Sequence, residues 1–126
     1  MHSIRLIRAY NHRQLKNAKG YKLLIDRLWP RGVKKTDLPY QWWLKELAPT
    51  PSLRAWFNHQ ADRYPTFKQK YLNELKENPF SPSVLEFLTQ ILQSENIILI
   101  YSAKDDEHNQ VVVFKEWLEG EIEAME

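Results

Sequence analysis

Residues 96–101 read NIILIY and residues 21–25 read YKLLI. A strand with one face in water alternates apolar and polar side chains. A run that stays apolar is buried on both faces, as in the middle of a parallel sheet. NIILIY is β-branched and apolar almost throughout and is the strongest strand signal in the chain. YKLLIDRLW, residues 21–29, reads as a second strand, and IRLIRAY, residues 4–10, has the mixed alternation of a third. Both buried runs stop abruptly at charge: LLI meets DRLWPRG, and NIILIY meets SAKDDEHN.

Working outward, NHRQ and NAKG between the first two strands read as loop. YQWWLKEL, residues 40–47, reads as a helix ended by Pro49 and Pro51. Thr50-Pro51 is a cap followed by proline at the first helical position, with Leu53, Trp56 and Phe57 at helical spacing behind it. TFKQKYLNELKEN is a further helix with Phe67, Tyr71, Leu72 and Leu75 on one side. Ser81-Pro82 repeats the cap-then-proline pattern before the stripe Val84, Leu85, Leu88, Ile91 and Leu92. A last helix begins near His108 or Asn109 and aligns Val111, Phe114, Leu118 and Ile122. These elements assemble as an α/β fold: a small three-layer arrangement with a mostly parallel sheet flanked by helices, in a single domain spanning residues 1–126.

The chain has no cysteine, which removes disulfides, thiolate nucleophiles and cysteine-held metals. MHSIRLIRAY is too short and too charged for a signal peptide, and no run is long enough to cross a bilayer, so a cytoplasmic protein with no membrane partner is expected. His2, His12, His59 and His108 lack metal-ligand spacing, so no metal site is expected; nothing in the sequence names a cofactor or an oligomeric state. The net charge of +2 is mild, but it is unevenly spread. Residues 1–35 hold Arg5, Arg8, Arg13, Lys16, Lys19, Lys22, Arg27, Arg31, Lys34 and Lys35 against Asp26 alone, while the chain ends in the acidic EWLEGEIEAME. Such an edge either faces something negative or is simply solvated.

DRLWPRG and SAKDDEHN follow two buried parallel strands, and open α/β sheets bind ligands outside the carboxyl ends of their strands. Arg27, Arg31 and Lys104, with the N-terminus of the last helix, suit a phosphate or carboxylate, so a small anionic or nucleotide-type ligand is expected. Asp26, Asp105 and His108 are the candidate acid–base groups should the site be catalytic, and Ser102 and Asn109 are candidate ligand contacts. Each has a structural reading beside the functional one. Asp26 and Arg27 could close the sheet end by pairing with neighbours, and Trp29-Pro30 suits packing. Asn109 suits a helix cap, and Ser102 suits a strand-end hydrogen bond; it lacks the setting of a nucleophilic serine. His59 follows a helix whose C-terminal dipole it can meet. Of the adjacent Trp42 and Trp43, on different faces of a helix, one belongs to the core and the other to core, partner surface or nucleic-acid stacking.

At DRLWPRG, SLRAWF, YLNEL and YSAKDDEHNQVVV the chain resembles the YeaO-like family, within the group catalogued as domain of unknown function 488, over nearly its whole length. The resemblance implies a small bacterial-type cytosolic α/β domain and carries no assigned activity. Wider relatives often place a cysteine at the end of the strand equivalent to NIILIY; Tyr101-Ser102 stand there in this chain, which has no residue for a thiol-based role. His108-Asn109 keeps the family pattern. Two rival functions accompany the ligand-site expectation: a nucleic-acid-binding module using the basic N-terminal third, and a protein-interaction domain.

Overall fold

A computed structural model of the chain describes residues 2–126. Its four strands are β1 (Ile4–Arg8), β2 (Tyr21–Leu24), β3 (Trp42–Trp43) and β4 (Ile97–Tyr101). They form one sheet in the order β1-β4-β2-β3, with every pairing parallel. The α/β expectation is met. β4 lies between β1 and β2, and all five of its residues are buried. That is why NIILIY carries no alternation: each side chain meets protein on whichever face it points to.

The period of two sorts the side chains cleanly. Ile4, Leu23, Ile97, Leu99 and Tyr101 point to one face. Helices α2 (Pro51–Phe57), α3 (Tyr64–Glu77), α4 (Ser81–Ser94) and α5 (Gln110–Met125) cover it with Phe57, Phe67, Tyr71, Leu88 and Phe114 among others. Ile7, Leu24, Ile98 and Ile100 point to the other face. There the cover is thinner: Leu15 from the short helix α1 (His12–Asn17), and Val33, Leu38 and Trp29 from the segment after β2. The third layer is therefore one short helix plus irregular chain.

Three local expectations are corrected. NHRQ is not loop: Asn11 accepts from the Gln14 amide at 3.2 Å and caps α1, whose single buried residue, Leu15, is too little apolar periodicity to announce a helix. YQWWLKEL is not an α-helix either. Trp42–Trp43 pairs with Leu23–Leu24 as an edge strand, followed by a 3₁₀ turn at Lys45–Leu47. The hydrogen bonds that decide this, Gln41 N to Lys22 O and Leu44 N to Leu24 O, both 2.8 Å, come from a partner distant in sequence. The two indoles consequently lie on opposite faces of the sheet, Trp42 against Phe87 and Trp43 against Trp29. Ser81 lies inside α4 rather than capping it, and its hydroxyl donates to Leu75 O at 2.5 Å. Thr50 and Asn109 do cap α2 and α5.

Candidate functional site

The parallel register places the site. Leu24 pairs with Ile100, so two residues further on Asp26 and Ser102 leave the sheet side by side. Beyond that point the connections part. The chain after β2 crosses the thin face, where Val33 and Leu38 pack, while α5 packs on the opposite face. Diverging connections from neighbouring strands open a crevice at the carboxyl ends of the sheet. Here it has a wide outer lobe of ≈ 700 Å³ and a narrower inner lobe of ≈ 260 Å³. Asp26, Arg54, His59, Ala103 and Gln110 border both.

Asp26 is 7% exposed and accepts from Ser102 Oγ at 2.7 Å, with the Leu28 amide at 3.4 Å. Its backbone is pinned as well: Trp43 Nε1 donates to Asp26 O at 2.7 Å, and Gln110 Nε2 donates to Ile25 O at 2.9 Å. Among the described residues no Lys, Arg or His stands within ion-pairing distance of this carboxylate. Arg31 and Lys104 are exposed on the outer lobe beside Asp105. Tyr10 donates to Arg31 O at 2.7 Å and ties down the Arg31 loop.

Arg27 goes elsewhere. Its Nη2 donates to Ala48 O at 2.9 Å and its Nε to Pro49 O at 3.3 Å, and it lines a separate recess with Tyr71 and Glu74. The strand ends at Leu24, so Asp26 and Arg27 part at the start of the loop and Arg27 anchors the entry to α2.

Asp105 organises the second loop. Its Oδ1 accepts from the amides of Glu107 and His108, both at 3.0 Å, and its Oδ2 lies 2.9 Å from His108 Nδ1. The Glu107 amide first, and then the His108 ring, hold its carboxyl below the usual carboxylate range. An ionised Asp105 can only accept, so Nδ1 carries the proton of this contact; His108 also lines the inner lobe. The imidazole packs edge-on against Tyr64, with centroids 5.1 Å apart. Burial first, then Glu116 and Asp105, push the Tyr64 hydroxyl up to about 12. Asn109 is committed to the fold: Oδ1 takes the Val111 and Val112 amides and Nδ2 donates to Asp105 O at 2.9 Å.

Three basic crevice residues stood outside the sequence-based set, as did Gln110. Arg8, from the end of β1, donates Nε to Ala103 O at 2.9 Å and stacks over Tyr10. Arg54 is the polar side of α2, and His59 follows its cap. Asn58 and His59 both have positive φ, 47° and 54°, a conformation that costs a side-chain-bearing residue about 1 kcal/mol. No helical period or motif marks these positions, since a basic residue on a helix's wet side is the ordinary case. Arg8, Arg31, Arg54 and Lys104 share one crevice, and none has a carboxylate within ion-pairing distance among the described residues. No cluster of three or more His, Asp or Glu near enough to hold a metal occurs among those residues.

The all-parallel sheet, with residues of its loops DRLWPRG and SAKDDEHN lining one crevice, defines a small α/β protein. The family model described as the inactive DUF488-N3 subclade matches residues 3–126, and the chain belongs to that family. The uncharacterized protein YeaO of Escherichia coli (strain K12) is 40% identical over 99 residues, covering 79% of this chain and 84% of that protein. The uncharacterized proteins Rv3073c of Mycobacterium tuberculosis and Mb3100c of Mycobacterium bovis are each 35% identical over 75 residues, covering 60% of this chain and 62% of theirs. No solved structure gives a significant match. No helix among the described residues is long and apolar enough to cross a membrane.

Proposed function

We propose that this protein binds a small anionic ligand in the crevice at the carboxyl ends of β2 and β4, and that it does so without turnover. The observation carrying this reading is the set Arg8, Arg31, Arg54 and Lys104, four cations around one crevice with no carboxylate paired to any of them. Like charges gathered without ion-pair partners repel, even with Asp26 and Asp105 on the same crevice, and a fold keeps such strain where binding relieves it. Guanidinium groups offer the forked donors that phosphate and carboxylate oxygens take. The description of the family as inactive supports binding rather than catalysis. A second reading keeps Asp26, Asp105 and His108 as acid–base groups; the 2.9 Å contact between Asp105 and His108 Nδ1 favours it, because a carboxylate so placed orients an imidazole for proton transfer.

Thermal unfolding in phosphate and in chloride at matched ionic strength tests the binding reading. A ligand that binds only the folded state stabilises it by mass action, about 2.7 kcal/mol at a hundredfold excess over Kd. Phosphate is expected to raise the midpoint of the natural protein, and Arg31→Met and Lys104→Met are each expected to lose most of that rise. Both variants should be at least as stable as the parent in chloride, since neither cation has an ion-pair partner to strand and removing one relieves repulsion. No response of the parent protein to phosphate would end this reading.

A further inference from the structure

The two lobes differ in chemistry, and one buried carboxylate stands where they meet. The outer lobe carries cations, Arg31 and Lys104 at its rim and Arg8 deeper. The inner lobe combines Phe57, Phe67 and two prolines with the polar side chains of Arg54, His59 and His108. Asp26 borders both. A buried carboxylate is costly unless it is well supplied with donors. Asp26 has one short hydrogen bond, from Ser102, and one long one, from Leu28, which leaves acceptor positions open. Those positions cannot serve an anion, but they suit hydroxyl groups.

Across the crevice the order is therefore a partly aromatic recess with polar groups on its lining, then an acceptor for hydroxyls, then a cationic rim. Ligand sites combine apolar walls with a few placed polar groups in this way, in volumes of about 300–1,000 Å³. Building on the anion-binding reading above, we propose that the ligand is a nucleoside monophosphate. Its base enters the inner lobe against Phe57 and Phe67, its ribose hydroxyls donate to Asp26, and its phosphate lies among Arg8, Arg31 and Lys104. A buried carboxylate holding ribose hydroxyls is a proven device in other nucleotide-binding α/β folds. Gln110 borders both lobes too, and since its Nε2 is held by Ile25 O, its Oε1 is the acceptor left for a base's amino group, which favours adenine, cytosine or guanine over uracil or thymine.

The test is isothermal titration of the whole chain with inorganic phosphate, ribose phosphate, adenosine monophosphate and dideoxyadenosine monophosphate. Adenosine monophosphate should bind about tenfold or more tighter than phosphate and tighter than ribose phosphate, and removing both ribose hydroxyls should cost about tenfold, the worth of a charge-assisted hydrogen bond. Asp26→Asn should abolish the discrimination between the ribo and dideoxy forms; should that variant fail to fold, the ligand series on the parent protein decides alone. If phosphate binds and the nucleotide binds no tighter, the two-part ligand is wrong and the anion site stands. If the dideoxy form binds as well as the ribonucleotide, the role given to Asp26 is wrong and the inference falls. If nothing binds, both readings fall together.

Discussion

Asp26, Arg27 and Arg31 come from one short stretch and go to three different surroundings: a buried crevice wall, a clamp on the Ala48 and Pro49 carbonyls, and an exposed rim. Their identities alone do not sort them; the end of β2 at Leu24 does, because each later residue follows the turn rather than the pleat. Asp105 shows what one carboxylate does for a loop. The amides of Glu107 and His108 and the His108 ring all favour its ionised form, so its pKa is lower in the folded protein than in the unfolded chain. The sign follows directly. The stabilisation is complete above the ordinary carboxylate range and is lost as pH falls through the depressed folded value. In an acid titration followed by NMR, the Glu107 and His108 amide protons are expected to move together, with a midpoint below that of an ordinary aspartate. A midpoint at or above the ordinary value would mean that these hydrogen bonds are not formed in solution.

Strand placement depends on a few tight junctions, and the clearest is where β2 begins. Asn96, just ahead of β4, accepts from the Tyr21 amide at 2.8 Å through its backbone and from the Ser3 amide at 2.9 Å through its side chain, so it ties the starts of β1 and β2 to β4. Gly20 lies against it with φ of +151°, and a Cβ there would stand 2.6 Å from the Asn96 carbonyl oxygen. Since the obstacle is backbone, it cannot swing aside. Gly20→Ala is expected to cost about 2–4 kcal/mol in urea denaturation, a large single-site effect with a named steric cause. A loss below about 0.5 kcal/mol, typical of an unconstrained surface site, would show that the junction is slack. Elements with strong local signals, such as β4, α4 and α5, were legible from apolar runs, periodicity and caps. β3 was not, since two residues carry too little pattern to outweigh neighbouring helix formers, and its hydrogen bonds come from β2.

Folding redistributes the basic N-terminal third. Lys22 is buried with its ammonium on Ala18 O at 2.8 Å, Arg27 is clamped, Arg8 and Arg31 line the crevice, and Arg5 and Arg13 border a recess beside α1. A nucleic-acid surface needs its cations on one continuous face, spaced to meet successive phosphates. With its cations dispersed in this way, the protein is expected to bind mixed-sequence DNA or RNA weakly and with a shallow salt dependence. Fluorescence anisotropy across a salt series checks this. Tight binding at physiological salt, with log K falling by several units per unit of log salt, would reinstate the nucleic-acid alternative and count against a crevice ligand as the main function.

The chain's family was readable from its resemblance at DRLWPRG and YSAKDDEHNQVVV, and its α/β class from residue order, because burial on both faces erases alternation in a central strand and caps announce helix starts within a few residues. The neighbourhood of the two polar loops was readable too: buried parallel strands of one sheet deliver their C-terminal ends to one edge, and that edge is where such sheets open. The composition of the crevice was not. Arg8, Arg54 and His59 reach the crevice from the end of β1 and from beyond α2, carried there by strand order and helix packing, and Arg27 leaves it for a carbonyl pair twenty-odd residues away. Contacts between distant segments depend on how layers pack, and no local period records that.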